Sequence, residues 1–330
     1  MHPSELWEGP SILPKVARVL LSPLSLLYAV GWECYLAVYR TGLKRAKHPH
    51  SPVLCVGNLV SGGVGKTPVV AHLVEVLRQL EFEVVISASG YGSPRAEAAA
   101  VAPSGPLDAR EWGDEPALLR TRFPNLPIIV GRRRVLAAEL CAQEFPKAVL
   151  LLDDGFQHLP LKKDLSIVLD PERPMNRMCL PAGPYREPRW NRSRADLVLP
   201  GNYKVVEQPL RVRNVQGAEE PFPKEAALLC ALGNPGRVLD SVRNLGIEVV
   251  STHFRPDHDP LAEPNLVSDL PKHVPVLITQ KDWVKLQNRS DVSQRKFLIL
   301  DYNVIIEPAE PFRVWLRDKL HAIQKAHHSR

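Results

Sequence analysis

The chain opens on an apolar segment. Residues 19–32, VLLSPLSLLYAVGW, carry no charge, and beyond Glu33 the apolar character continues through CYLAVY to a basic cluster of Arg40, Lys44, Arg45 and Lys47. Short continuous apolar runs then follow at 53–56, 84–87, 127–130, 148–152, 165–169 and 197–199, separated by stretches of helical period such as 69–80, 115–122 and 134–143. Apolar runs without polar alternation are strands covered on both faces, and strands alternating with helices predict a doubly wound parallel sheet. After Pro200-Gly201-Asn202 the pattern changes to alternating polar strands at 203–207 and 210–215, which predict a two-stranded connection. Strand and helix signals resume at 226–231, 237–245, 248–251 and 276–278, as a second, smaller α/β lobe requires. The expected division is an N-terminal membrane-associated segment at 1–47, a nucleotide-type α/β domain at 48–202, and linker strands with a C-terminal α/β domain at 203–330.

The uncharged part of the first segment is shorter than the roughly 20 residues of a spanning helix. A single span and an interfacial helix are therefore both open readings, with a buried core helix as the bland one. A cleaved signal peptide is not indicated, because the apolar run begins late and is followed by basic residues without a small-residue cleavage site. Against a membrane, the basic cluster belongs on the cytoplasmic side, facing anionic lipid heads.

Composition narrows the class. A chain of 330 residues is long enough for two ordinary domains, and its five cysteines are widely spaced, with neither a C-x-x-C pair nor a cysteine–histidine cluster. A disulfide framework and a zinc knuckle are thus unsupported, and a reduced cytosolic face is expected. The net charge of +6 suits an anionic partner, although solubility alone accounts for so small an excess. The run Arg132-Arg133-Arg134 and the basic tail 319–330 have no aromatic stacking platform beside them, so no nucleic-acid partner is expected. No obligatory protein partner is inferred either.

The candidate chemistry begins after the 53–56 strand. Gly57-Asn58-Leu59-Val60-Ser61-Gly62-Gly63-Val64-Gly65-Lys66-Thr67-Pro68 leads into the 69–80 helix, the strand–glycine loop–helix order of a phosphate-binding P-loop. Such a loop turns its N–H groups onto a phosphate at a helix N-terminus. Lys66 then bridges the outer phosphates, and the Thr67 hydroxyl is placed to ligate Mg²⁺. Val60, Ser61, Gly62, Gly63, Val64, Gly65, Lys66 and Thr67 are the expected ATP contacts. Val60 stands where the first glycine is usual, and Ser61 replaces the signature lysine of the G-G-x-G-K-T variant. The strand at 148–152 ends in Asp153-Asp154-Gly155, where ligands of open α/β sheets sit, so one of Asp153 and Asp154 is expected to hold Mg²⁺ beside Thr67. Read alone, this is also how a strand ending in a solvated turn looks.

The strings GNLVSGGVGKTP, SGYGSPR, WGDEPALL, LLLDDGFQH, LPAGPYREP, PDHDPL and TQKD, in this order behind an apolar N-terminus, resemble the tetraacyldisaccharide 4'-kinase family across essentially the whole chain. The resemblance implies a P-loop NTPase-like kinase with an N-terminal membrane-associated helix. It implies transfer of the γ-phosphate of MgATP to the 4'-hydroxyl of a lipid A disaccharide 1-phosphate precursor, giving lipid IVA at the cytoplasmic face of the bacterial inner membrane. It also assigns Asp114 as the catalytic carboxylate, His258 as its partner oriented by Asp257, and Glu187 as an aid to Mg²⁺, with Arg186 at a phosphate. Without the resemblance Asp114 reads as a helix N-cap and His258 as an ordinary loop residue. Lys281 and Asp282 fall at the end of a strand, near the site or a domain junction, with no defined role. Two departures stand out: Ser89 where the family has arginine before Gly90-Tyr91-Gly92, with Arg95 nearby as a substitute, and Gln280 where it has glutamate.

Two other functions compete. A non-kinase P-loop ATPase is suggested by the GGVGKT spelling but lacks the lysine at Ser61. A membrane-associated binding protein with a degenerate P-loop draws on Ser89 and Gln280, against which stand the intact Lys66, Thr67, Asp153 and Asp154. With Lys66 and Asp114 in one domain and His258 in the other, the site is expected between them.

Overall fold

The computed structural model describes residues 3–62, 65–90, 93–257 and 259–328. In chain order the helices are α1 (Pro3–Glu8), α2 (Ile12–Arg40), α3 (Lys66–Gln79), α4 (Ala109–Trp112), α5 (Asp114–Arg122), α6 (Arg134–Glu144), α7 (Pro235–Asn244), α8 (Gln280–Leu286) and α9 (Ala309–His328). The strands are β1 (Val53–Asn58), β2 (Val84–Ala88), β3 (Ala100–Val101), β4 (Ile128–Val130), β5 (Val149–Asp153), β6 (Leu165–Leu169), β7 (Leu197–Leu199) and β8 (Lys204–Glu207). They continue with β9 (Arg211–Asn214), β10 (Glu219–Glu220), β11 (Glu225–Cys230), β12 (Glu248–Phe254), β13 (Val276–Thr279), β14 (Phe297–Asp301) and β15 (Val304–Glu307).

Two compact units result. The first comprises residues 1–87, 134–205 and 306–330; the second comprises 88–133 and 206–305. Each unit collects strands from separated stretches of chain. By compactness the β4 segment falls in the second unit and α9 in the first. The strands at 203–207 and 210–215 do not pair with each other as expected. β8 pairs with β15, whereas β9 lies between β10 and β14.

In the first unit β2, β5, β1, β6 and β7 run parallel in that order. β1, β2, β5 and β6 are buried at every position, which explains their unbroken apolar sequences. The register sets Val56 beside Asp153, so the C-terminal ends of β1 and β5 open onto the same edge. In an open α/β sheet that edge is where ligands bind.

The second unit has a six-stranded sheet, β10-β9-β14-β13-β11-β12, in which β14, β13, β11 and β12 are parallel and β9 is antiparallel. Its core lies on both faces. Leu229, Leu266, Ile278, Trp283 and Phe297 pack one side, and Val212, Leu228, Val242, Leu277 and Leu298 the other. Strands β3 and β4 pair antiparallel in the same unit.

The apolar N-terminal segment is one helix of 29 residues, α2, long and apolar enough to cross a membrane. Ile12, Leu13, Val19, Leu20, Leu24, Leu26, Leu27 and Val30 are exposed along it. Its other face docks on the loop that carries LPAGPYREP. Ser25 Oγ donates to the Cys179 carbonyl (2.7 Å) and accepts from Ala182 N, Tyr28 Oη donates to the Arg186 carbonyl (2.8 Å), and Trp190 and Asn191 both donate to Glu33 Oε1.

Candidate active site

The phosphate loop is built between β1 and α3, and the loop at 183–187 braces it. Ser61 N donates to the Pro184 carbonyl, Arg186 N donates to the Leu59 carbonyl, and Val60 bridges to Tyr185. Gly62 and Gly65 have φ of +107° and +77°, the left-handed region where a side chain costs energy. Gly63 and Val64 lie outside the described residues. Gly57 has a different reason to be glycine: a Cβ there would lie 2.5 Å from Phe156 Cβ.

Lys66, the first residue of α3, is already held over the loop. Its ammonium donates to Asn58 Oδ1 (3.3 Å) and lies 3.4 Å from Asp154 Oδ2. Asn58 is fully buried and is fixed in turn by donating to the Val60 carbonyl (2.6 Å). Thr67 follows on α3, at the same end of the helix.

The acidic pair terminates β5. Asp153 is the last strand residue and is 1% exposed, while Asp154 turns out of the strand with φ +58°. Asp154 accepts from Arg186 Nη1 through both oxygens, at 3.0 and 2.9 Å. Burial pushes its pKa up, but Lys66 and Arg186 outweigh that and hold the carboxyl below the ordinary range. The turn's own carbonyls, of Asp153 and Asp154, are held by the buried guanidinium of Arg134, which also donates to Ser87 Oγ. Within the basic 132–134 run, Arg134 is thus an internal brace and not part of a solvated face.

The residues after the pair complete the frame. Gln157 Nε2 donates to the Asn58 carbonyl (2.8 Å) and to Glu187 Oε1 (3.0 Å). Glu187, expected at Mg²⁺, is fully buried with Oε2 ion-paired to Arg194, whose guanidinium lies 4.3 Å from the centre of the Phe156 ring. Burial raises the Glu187 pKa, with Arg194 opposing. The His158 imidazole is pushed down to about 4 by burial and by the charges of Lys163 and Arg134, so it is neutral at physiological pH.

The second unit carries the other expected site residues. The N-cap of α5 is Gly113, with φ +94°, and Asp114 is the first helical residue; the capping role open to Asp114 from sequence is therefore not the one it has. Asp114 Oδ2 lies 3.5 Å from the ammonium of Lys285, which also meets Asp282 Oδ1 at 3.2 Å. Asp282 is fully buried; its other oxygen accepts from Thr279 Oγ1 (2.7 Å) and Ala231 N (3.0 Å). A buried ammonium is stable only when so surrounded. Asp257 Oδ1 pairs with Lys281 (3.4 Å), and His258 lies outside the described residues. Arg95, near Ser89 in sequence, pairs with Glu111 and lies over Trp112.

Sequence reasoning missed Lys285 and Arg134 as site residues. The only local signal for Lys285 was its place on the apolar α8 face, three positions after Asp282.

The chain matches the family described as Tetraacyldisaccharide-1-P 4'-kinase over residues 17–321. A relative named tetraacyldisaccharide 4'-kinase from Shewanella piezotolerans is 34% identical over 296 residues, covering 86% of this chain and 87% of the relative. Another of that name from Shewanella baltica is 35% identical over 306 residues, 88% of each. The crystal structure of LpxK from Aquifex aeolicus in complex with ATP superposes with a TM-score of 0.78 at 27% identity, covering 92% of this chain and 99% of that one. The chain belongs to the tetraacyldisaccharide 4'-kinase family.

Proposed function

We propose that the protein transfers the γ-phosphoryl group of ATP to the 4'-hydroxyl of tetraacyldisaccharide 1-phosphate. The observation that carries this reading is the Lys66–Asp154–Arg186 cluster at the mouth of a strand–glycine loop–helix unit. Two cations converge there on one carboxylate, and a phosphate group has the charge and oxygen atoms to take that carboxylate's place. Loop N–H groups and the start of α3 then bind the phosphates, and Lys66 follows the outer ones.

The donor set fits Mg²⁺. Thr67 offers a hydroxyl and Asp153 and Asp154 offer carboxylates, all hard oxygen ligands at adjacent element ends. Bound there, the ion would neutralise phosphate charge. The Glu187 carboxylate, beside these donors in the reading, also positions Gln157 and Arg194.

Asp114 accepts the proton of the sugar hydroxyl as the phosphoryl group transfers, leaving ADP and the 4'-phosphate ester. The Lys285 ammonium positions that carboxylate. In this reading His258 and Asp257 serve as proton relay and orienting group.

The exposed apolar face of α2 lies in a membrane surface, with the catalytic body on the cytoplasmic side and the acceptor's acyl chains in the bilayer. Its opposite face makes polar contacts to the protein from Ser25 to Glu33, which favours the interfacial over the spanning arrangement. Mass spectrometry of the acceptor after incubation with MgATP tests the function. A single added phosphate at the 4' position supports it; unaltered acceptor with ATP consumed contradicts it.

A further inference from the structure

Away from the phosphate loop, three segments of the first unit bring a second set of metal-type donors together. His48 follows α2, Asp164 precedes β6, and His327 lies in the last turn of α9. His48 Nε2 is 3.1 Å and His327 Nε2 is 3.2 Å from the same oxygen, Asp164 Oδ1, and the two imidazole rings are 5.0 Å apart. One ligand atom from each residue falls within 4.8 Å of the other two.

The protonation pattern of His327 gives this geometry a chemical meaning. Its Nδ1 is 2.8 Å from the His50 carbonyl, which can only accept, so Nδ1 carries the proton. In the neutral ring Nε2 then bears a lone pair, aimed at a carboxylate oxygen, and among the described residues it is buried without a hydrogen bond of its own. Lone pair against carboxylate is repulsive unless a cation lies between them. An imidazole fixed by a backbone carbonyl on its far nitrogen is also the usual outer arrangement of a metal-bound histidine. Asp164 is preset in the same way: its Oδ2 accepts from Val53 N (2.9 Å), leaving Oδ1 for the shared position.

We propose that His48, Asp164 and His327 bind one zinc-class divalent cation. Two imidazole nitrogens and one carboxylate oxygen are zinc donors, and bond lengths near 2.0–2.1 Å in a tetrahedral site separate adjacent ligand atoms by roughly 3.3 Å. The two histidine–carboxylate edges, 3.1 and 3.2 Å, match. Water fills the fourth position. Lys44, Arg45, Lys162 and Lys163 line a cavity with His48 and oppose a cation there. Lys163, however, turns its ammonium to the Phe156 and His158 carbonyls, and nearby Lys47 is paired with Glu139. The cation is structural: it fastens the C-terminal helix and the segment after α2 to the start of β6, and it takes no part in phosphoryl transfer.

The test is titration of chelator-treated full-length protein with Zn²⁺ and with Co²⁺, in the wild type, His48→Gln, His327→Gln and the double variant. One Co²⁺ per chain should bind with a tetrahedral visible band and no thiolate charge-transfer band, which separates this site from exposed Cys34. Each single variant should weaken binding by at least about tenfold. The thermal midpoint should rise with added Zn²⁺ in the wild type and not in the double variant. Metal-free circular dichroism of the variants establishes that they fold; if they do not, wild-type stoichiometry and band shape decide. Binding unchanged in the variants, no Zn²⁺ response, or a wild-type midpoint that follows pH but not Zn²⁺ overturns the proposal, the last meaning that a proton fills the position.

Discussion

Lys285 Nζ stands 3.5 Å from Asp114 Oδ2 and 3.2 Å from Asp282 Oδ1, joining the start of α5 to the buried face of α8. One ammonium thus serves a structural carboxylate and the proposed catalytic one. Charge balance in the second unit and the aim of Asp114 depend on the same atom.

Replacing it by an apolar side chain of similar length separates these roles. Lys285→Met leaves buried Asp282 without its cation, a loss of about 3–5 kcal/mol seen as a lower midpoint in urea or heat. At temperatures where the variant stays folded, kcat falls by up to about 10²-fold while ATP affinity is unchanged. A change in stability alone would make Lys285 purely structural.

His158 gives a pH signature. Its pKa falls from 6.5 unfolded to about 4 folded, so between those values the unfolded chain binds the extra proton. Stability from this group is present above pH 6.5 and is lost as pH falls toward 4, by on the order of 1–3 kcal/mol. Subtracting the stability–pH curve of His158→Gln from that of the wild type isolates the slope. A flat difference refutes it.

Gly57→Ala places a methyl group 2.5 Å from Phe156 Cβ, between the end of β1 and the turn after Asp154. Overpacking of this kind costs about 1–3 kcal/mol. Because the same turn carries Asp154, ATP affinity should fall together with stability in calorimetry. Unchanged affinity would show that the turn yields without moving its carboxylate.

Leu20, Leu24 and Leu27 are exposed on α2 and make the membrane reading quantitative. Changing all three to Ser should reduce binding to anionic vesicles by on the order of 10²-fold or more, at roughly 1.5 kcal/mol or more per leucine. The helix keeps its polar docking through Ser25, Tyr28 and Glu33, so folding should be preserved. Vesicle binding equal to wild type would place the membrane contact elsewhere.

What the sequence made legible was local. The strand before Gly57, the Lys66-Thr67 pair and the apolar run ending at Asp153 each sit within a dozen residues, and structure returned them as read. The interleaving of the two compact units was not legible, because it rests on contacts between stretches far apart in the chain. Lys285 and Arg134 were hidden for the same reason. A buried cation is recognised by the carboxylates and carbonyls around it, and those come from distant chain. Glu187, given to Mg²⁺ by its motif position, is also held by Arg194 and Gln157, partners that the motif does not name.

The most direct test of the kinase reading is transfer of labelled γ-phosphate from MgATP to tetraacyldisaccharide 1-phosphate in detergent micelles, with wild type, Asp114→Asn and Lys66→Ala, alongside ATP binding for each. The account predicts acceptor-dependent transfer by the wild type, a loss of about 10²–10⁴ in kcat with near-normal ATP binding for Asp114→Asn, and loss of both for Lys66→Ala. ATP hydrolysis indifferent to acceptor, or equal and mild losses in the two variants, would contradict it.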